Sequence, residues 1–350
     1  MDPRIVLVLL LLSPLTAAVV AESSPECDTS NMGECYDRPK ALKLKVIAIA
    51  TILVASMIGI CLPLFSRSVP ALSPDRNLFF VVKAFASGVI LSTGFMHVLP
   101  DSFAMLQSPC LPSNPWQKFP FSAFVAMLSS VATLMLDSFS MSFYSRRHRE
   151  KVEAMEGGAT PTVQMVSAVH THGHCPSILL ETKNDEDNAS LRRNRVIAQV
   201  LELGIVVHSI VIGLSMGASQ NPCTIRPLVA ALCFHQFFEG MGLGGCILQA
   251  EYGFGMKAIM VFFFATTTPF GVALGIGLSN VYSDNSPTAL MVIGLLNASS
   301  SGLLIYMALV DLLAADFLGH KLQSNVKLQG WGYVAVLLGI GGMSLMAKWA

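Results

Sequence analysis

Long apolar segments are the feature that most limits how this chain can fold. Eight of them follow one another along the sequence, at residues 44–65, 78–99, 119–143, 196–217, 227–249, 256–279, 288–311 and 330–349. Each is long enough for an α-helix to cross the apolar part of a bilayer, which takes about 20 residues. We therefore predict an all-α membrane protein, an eight-transmembrane-helix bundle with three helices in residues 44–145 and five in residues 196–350.

Composition supports this assignment. With 53% hydrophobic and 13% charged residues, the chain is far more apolar than a soluble domain, in which about 25% of the residues are charged. The 22 basic and 22 acidic residues cancel, so net charge does not decide about nucleic acid, but no long basic stripe lies outside one loop. We expect the lipid bilayer, and no nucleic acid, among the partners.

The first 21 residues have the features of a secretory signal peptide. Arg4 precedes a short apolar run, and the small residue Ala21 stands at the expected cleavage position. The run is too short to span a bilayer, although residues 15–20 prolong it and leave a retained signal anchor as the alternative. Cleavage would leave residues 22–43 as an extracellular N-terminal segment.

The cysteines divide into two groups. Cys27 and Cys35 lie in the N-terminal segment, where an oxidising exterior would let them pair with each other or with Cys110 in the loop after span two. The sequence does not fix this connectivity. The other five lack the spacing of a thiolate metal site and are predicted to be packing residues: Cys61, Cys175, Cys223, Cys233 and Cys246.

Loop charges indicate the orientation in the membrane. The connections after spans one, three and seven carry most of the bases, namely Arg67, Arg76, Arg146, Arg147, Arg149, Lys151, Lys183, Arg192, Arg193, Arg195, Lys321 and Lys327. The positive-inside rule then places both termini in the extracellular space. Lys40, Lys43 and Lys45 before span one disagree, but a cleaved signal peptide would itself fix the N-terminus outside.

Residues 146–195 form the longest connection between spans and have no periodic apolar face, which predicts a flexible cytosolic loop. His170, His172 and His174 alternate near its centre, and neutral imidazoles on a flexible chain can bind one divalent ion weakly. A solvated loop that is merely rich in histidine is the alternative. Because the loop lies outside the membrane, we expect sensing or buffering of metal there and not the transport step.

Several polar side chains stand where a membrane helix would ordinarily carry leucine. An unpaired charge at that depth costs about 2.5 kcal/mol or more, so each is a candidate functional residue. They are His97 and Asp101 in span two, Asp137 in span three, Glu202, His208 and Ser209 in span four, His235, Gln236 and Glu239 in span five, and Asn297, Tyr306 and Asp311 in span seven.

Imidazole combined with carboxylate predicts a site for a divalent transition metal. His235 and Glu239 are four residues apart and share one face of a helix, and His208 of the preceding span can meet them inside a bundle. Nitrogen and oxygen ligands suit iron(II), zinc, manganese and cadmium and do not rank them. In the alternative, each histidine only bonds a neighbouring hydroxyl group and the nearby glycines only pack helices.

Five stretches and the histidine-rich loop between spans three and four resemble the ZIP family of metal transporters, and most closely its plant iron-regulated type. The stretches are GFMHVLPDSF, VLELGIVVHSIVIGLSMGAS (200–219), AALCFHQFFEGMGLGGCILQAEY (230–252), DNSPTAL and LIYMALVDLLAA. The resemblance covers essentially the whole mature chain. It implies a plasma-membrane protein of root cells that imports iron(II) and zinc, with manganese and cadmium as further substrates, into the cytosol. The metals would be substrates, so the resemblance implies neither an enzyme nor a resident cofactor.

The resemblance also implies roles for individual residues. His208 and Ser209 of span four and His235, Gln236 and Glu239 of span five stand at ligand positions of the family. His97 and Asp101 match pathway residues at the outer end of span two, and Asp311 matches a polar position towards the cytosolic side of span seven. Prokaryotic relatives carry acidic residues where this chain has Ile212 and Thr268, which favours one bound ion over two.

These expectations combine into a route. An ion would meet Asp101 and His97, exchange water for the ligands near mid-membrane, and leave past Asp311, gaining about 4.6 kcal/mol per 100 mV of inside-negative potential. A membrane metal sensor without flux is the alternative function, whereas an intramembrane metallohydrolase is disfavoured because no HExxH motif is present. A homodimer and cytosolic regulators at residues 146–195 are candidate partners.

Overall fold

The computed structural model describes residues 35, 37–65, 76–156, 176–279 and 287–348. The predicted signal peptide (residues 1–21), all but a few residues of the N-terminal segment, and His170, His172 and His174 lie outside the described residues. Within the described ranges all regular structure is helical. The all-α class is therefore confirmed.

Eight long helices cover most of the described residues and correspond in order to the eight apolar segments. They are α1 (Arg38–Phe65), α2 (Asn77–Leu106), α3 (Phe121–Glu156), α4 (Pro176–Ala218), α5 (Pro222–Gln249), α6 (Phe254–Leu278), α7 (Pro287–Phe317) and α8 (Val326–Ala347). The predicted loop at 146–195 is shorter than expected, because α3 continues to Glu156 and α4 begins at Pro176.

Seven of these helices, in the part of the chain that the structure describes, are long and apolar enough to cross a membrane. Helix α5, at 28 residues, is also long enough to cross a membrane, but it is not apolar enough to belong to this group. His235, Gln236 and Glu239 interrupt its apolar sequence, together with several glycines. The helix outside this group thus carries three of the predicted ligands.

The starts of two helices follow from local sequence. The side chain of Asn221 accepts a hydrogen bond from the backbone nitrogen of Cys223 at 2.9 Å, and Pro222 occupies the first position of α5. Asn325 caps α8 in the same way through the backbone nitrogen of Leu328, at 3.1 Å. Both pairs satisfy amide groups that the first turn of a helix leaves without partners.

The helices pack in close pairs: α1 with α5, α2 with α8, α3 with α7, and α4 with α6. Glycines make two of these contacts possible. A Cβ atom at Gly240 of α5 would lie 2.8 Å from the backbone nitrogen of Ile60 in α1, and one at Gly213 of α4 would lie 3.0 Å from the Cα atom of Gly271 in α6. These backbones approach more closely than any larger residue allows, as expected for packed membrane helices.

Two helices contain π-helical segments, and each holds a predicted site residue. Helix α2 is π-helical over Thr93–Val98, which includes His97, and α7 is π-helical over Met307–Ala314, which includes Asp311. In α2, Pro100 stands two residues after this segment, and its missing amide hydrogen removes a backbone bond from the preceding turn. Such segments are frequent at functional sites, because the extra residue changes which side chains face inward.

A disulfide bond joins Cys35, just before α1, to Cys223 at the start of α5. The prediction that Cys223 is a packing residue was therefore wrong, and Cys35 pairs with neither Cys27 nor Cys110. Cys110, which follows α2, is also disulfide-bonded. The misassignment arose because Cys223 adjoins an apolar run in the sequence. In the structure it lies in the first turn of α5, beside the segment that precedes α1.

Candidate metal site

Three predicted ligands meet inside the bundle. His208 of α4 and His235 and Glu239 of α5 each offer a ligand atom, and the three atoms lie within 4.8 Å of one another. All three side chains are buried, with at most 1% of each exposed. We call these residues the His–Glu cluster. Four-residue spacing places His235 and Glu239 on one face of α5, and contact between α4 and α5 brings His208 to them.

The polar atoms of this cluster are unsatisfied. Among the described residues, neither ring nitrogen of His235, neither carboxylate oxygen of Glu239, nor Nε2 of His208 has a hydrogen-bond partner. Buried polar groups are nearly always hydrogen-bonded in proteins, because desolvation without a partner costs a few kcal/mol per group. A group of orphaned ligand atoms this compact fits a divalent cation. Two imidazoles and one carboxylate form a donor set that zinc and iron(II) both accept.

His97 of α2 extends the cluster. Its ring centroid lies 6.0 Å from that of His235, and the centroid of the His208 ring lies 5.8 Å from that of His235. His97 is buried, and its Nε2 atom has no partner in the described part of the chain. The sequence predicted His97 at the outer end of the pathway, but the structure brings it directly against the cluster, so that α2 also contributes to the site. Asp101 lies four residues further along α2 and is half-buried.

Neighbouring polar side chains differ in their contacts. Gln236 is fully buried and accepts a hydrogen bond from the Thr268 hydroxyl of α6 at 3.3 Å. The Ser209 hydroxyl is buried without a partner among the described residues. Ile212 instead packs in an apolar cluster with Met216 and other buried residues. Thr268 is therefore engaged in a hydrogen bond and Ile212 in apolar packing, and neither position offers a carboxylate to the cluster.

Ser300 of α7 is a residue that the sequence analysis missed. Its hydroxyl oxygen lies 3.2 Å from Nδ1 of His208, and both side chains are buried. The run of three serines at 299–301, inside an otherwise apolar helix, was the available signal.

Asp311 does not join the His–Glu cluster. It lines a separate cavity of about 190 Å³ with Lys83, Ser190, Arg193, Asn194, Ile197, Cys246, Gln249, Ala315 and Asp316. Asp311 is buried, and its Oδ2 atom has no partner among the residues described. Ser190, Arg193 and Asn194 of this lining lie in the part of α4 that overlaps the base-rich residues 146–195. The position of Asp311 towards the cytosolic side stays a prediction.

An ion pair in the same cavity also escaped the sequence analysis. The Lys83 ammonium of α2 lies 3.0 Å from a carboxylate oxygen of Asp316 in α7 and donates a second hydrogen bond to Gln249 of α5 at 3.1 Å. The side chain of Lys83 is only 6% exposed. One lysine within the apolar stretch NLFFVVKAFASG was the signal for this residue.

Comparisons with known proteins agree with this picture. Residues 42–347 match the family model described as "ZIP Zinc transporter". The chain is 63% identical over 334 residues to Fe(2+) transport protein 1 of Oryza sativa subsp. japonica, covering 91% of this chain and 87% of that protein. It is also 57% identical to two proteins of Arabidopsis thaliana, Probable zinc transporter 10 and Fe(2+) transport protein 1, each alignment covering 99% of this chain and 97% of the relative.

Proposed function

This chain belongs to the ZIP zinc transporter family, and we propose that the ions it transports cross the membrane at the His–Glu cluster. Membership of the family makes it a multi-pass membrane transporter of divalent metal ions and not an enzyme. One observation carries the proposal. Ligand atoms of His208, His235 and Glu239 lie within 4.8 Å of one another, and in the described residues the atoms suited to binding are left without protein partners.

Iron(II) and zinc are the proposed principal substrates. The relatives reported above are named Fe(2+) transport proteins and a probable zinc transporter, and the cluster offers nitrogen and oxygen ligands that both ions accept. Manganese and cadmium fit the same donors. Thr268 and Ile212 add no carboxylate, which supports a single ion at the site. Gln236 and Ser209 complete the proposed polar lining.

We propose eight transmembrane helices, with α5 as the eighth span and both termini outside the cell. The disulfide bond between Cys35 and Cys223, and the one that includes Cys110, support an oxidising exterior at that end of the bundle. The bases of residues 146–195, which lie at the end of α3 and at the start of α4, support a cytosolic location for the other end. In this proposal residues 1–21 act as a cleaved signal peptide and the protein resides in the plasma membrane.

The proposed route follows the polar side chains through the bundle. An ion enters past Asp101 and His97, exchanges water for the His–Glu cluster, and leaves through the cavity lined by Asp311. His170, His172 and His174 then provide a weak cytosolic site in the 146–195 connection, where cytosolic regulators would also bind. The contact between the rings of His97 and His235 supports direct transfer between the first two steps. A homodimer is the proposed assembly.

The test is uptake of radiolabelled iron(II) and zinc into transport-deficient yeast, with surface expression measured for every variant. We expect uptake by the parent chain and loss of uptake in His235→Ala. Cys233→Ala is the matched control, because this half-buried free cysteine lies on the same helix two residues away. Absence of uptake by a surface-expressed parent would instead support a sensor without flux, and equal uptake by parent and His235→Ala would reject the cluster as the site.

A further inference from the structure

Ser300 contacts a metal ligand from a helix that carries none of the His–Glu cluster. Its hydroxyl oxygen lies 3.2 Å from Nδ1 of His208, while Nε2 of the same ring is buried without a partner among the described residues. The two nitrogens of His208 are therefore in different surroundings. One faces a hydroxyl group, and the other is available to an ion.

The chemistry of imidazole makes this contact consequential. A neutral ring carries its hydrogen on one nitrogen only, and the other nitrogen has the lone pair that binds metal. If Nδ1 donates its hydrogen to Ser300, the lone pair is on Nε2. If instead Ser300 donates to Nδ1, Nε2 carries the hydrogen and cannot bind. We propose that Ser300 is a positioning residue whose hydroxyl oxygen accepts a hydrogen bond from the Nδ1–H group of His208. This bond keeps the lone pair on Nε2, where it can bind the transported metal.

The surroundings of Ser300 hold it in place. The Ser129 hydroxyl of α3 donates to the Ser299 carbonyl at 2.7 Å, and the Ser130 hydroxyl donates to the Gly302 carbonyl at 2.9 Å. On another side, the Ser301 hydroxyl donates to the carbonyl of Gly94 in α2 at 3.1 Å. The segment that carries Ser300 is thus tied to two neighbouring helices. A fully buried hydroxyl on so fixed a backbone can set both the orientation and the hydrogen position of the ring it contacts.

The expected effect is on affinity. Partners that orient a metal-binding histidine typically contribute 10–100-fold to metal affinity. Ser300→Ala should weaken binding of zinc by about that factor and raise the KM for uptake, with a smaller change in maximal rate. Ser300→Thr retains the hydroxyl group and should restore most of the affinity.

The test measures zinc affinity of the purified full-length chain in detergent, together with the KM for uptake. It compares the parent with Ser300→Ala, Ser300→Thr, His208→Ala and the double variant Ser300→Ala/His208→Ala. Ser301→Ala is the control, because it removes a buried hydrogen bond of the adjacent residue without contacting His208, while the bonds from Ser129 and Ser130 still hold the segment that carries Ser300. The loss caused by Ser300→Ala should disappear in the His208→Ala background, and Ser301→Ala should keep the parent affinity.

This inference rests on the proposed function, and the variants separate the two. Unchanged affinity in His208→Ala would reject the cluster itself. A weakened His208→Ala combined with an unaffected Ser300→Ala would overturn only the positioning role, as would an equal loss in Ser301→Ala or a loss that persists in the His208→Ala background. If Ser300→Ala does not fold, Ser300→Cys replaces it under the same criteria, because a thiol is a weak acceptor.

Discussion

The ammonium group of Lys83 and the carboxylate of Glu239 are both buried in the helix bundle, but their surroundings are opposite. Lys83 contacts the Asp316 carboxylate at 3.0 Å and the Gln249 side chain at 3.1 Å. Neither carboxylate oxygen of Glu239 has a hydrogen-bond partner in the described ranges. The charge of Lys83 is neutralised by the protein, whereas the carboxyl group of Glu239 is left without a partner among the described residues.

This difference separates structural from functional charge in the membrane. An ion pair such as that of Lys83 and Asp316 can join helices α2 and α7 permanently, because each charge satisfies the other. An unpaired carboxylate beside two histidines has no such structural use and costs free energy. A transported cation can offset this cost for part of the cycle, and the absence of a permanent partner lets the ion leave again.

The largest predicted effect is loss of transport in Glu239→Gln. The substitution keeps the shape of the side chain but removes the charged ligand, so uptake of zinc and iron(II) should fall by more than the roughly 10–100-fold typical of losing a supporting partner. The free energy of unfolding should not fall, because no hydrogen bond or ion pair of the described residues is lost. Uptake assays and thermal unfolding of the purified chain measure the two quantities.

Glu239→Asp provides the graded variant for this prediction. It keeps a carboxylate ligand but shortens the side chain by one methylene group, which moves the carboxylate away from the histidines. Uptake should therefore be reduced less than in Glu239→Gln. Marked destabilisation of Glu239→Gln would contradict the comparison, because it would mean that the carboxylate has a structural partner.

The next effect in size is loss of stability in Lys83→Met. Removing the ammonium group leaves Asp316 without its partner, and breaking a buried ion pair in this way costs about 3–5 kcal/mol. We expect a value at or below the lower limit, about 3 kcal/mol, because the Asp316 side chain is 22% exposed and solvent screens it. Thermal unfolding in detergent measures this loss.

The double variant Lys83→Met/Asp316→Leu tests whether the loss of stability comes from the unpaired carboxylate of Asp316. It replaces both charges with apolar groups and should recover most of the stability, since apolar replacements of buried ion pairs are often neutral or better. Zinc affinity at the His–Glu cluster should be unchanged in both variants. A fall in affinity larger than tenfold would show that the two regions are not independent.

The sequence was sufficient for the helices and for the grouping of His208, His235 and Glu239. Apolar length predicted the eight segments, because a helix must satisfy its own backbone in lipid. The spacing of His235 and Glu239 on one helix predicted their common face, and only one further contact, with His208 of the neighbouring segment, was needed to complete the cluster. Local rules of length and period determine the helices and the common face of His235 and Glu239, whereas the contact with His208 depends on how α4 and α5 pack.

What the sequence did not reveal depends on contacts between distant segments. Cys35 and Cys223 are separated by 188 positions, Lys83 and Asp316 by 233, and His208 and Ser300 by 92. Nothing in the local pattern around Cys223 distinguishes a disulfide from a packing residue. A polar residue inside an apolar helix can be recognised from sequence, but whether its partner is another side chain or a metal ion depends on the packing of the whole bundle.

The smallest predicted effect is that of Thr268→Val, which tests whether Gln236 is a structural residue or a metal-site residue. Gln236 adjoins the cluster, and its side-chain oxygen accepts a hydrogen bond from Thr268 at 3.3 Å. Its oxygen therefore has a protein partner, as the ammonium group of Lys83 does, although its Nε2 atom has none among the described residues. Thr268→Val keeps the shape and removes this bond, which should lower the free energy of unfolding by about 1 kcal/mol. Zinc affinity should change less than threefold if Gln236 mainly supports the packing of α5 against α6. A loss of affinity as large as that of His235→Ala would instead assign Gln236 to the metal site, with Thr268 as the group that orients it. Zinc titration of the purified Thr268→Val chain, beside thermal unfolding, distinguishes these outcomes.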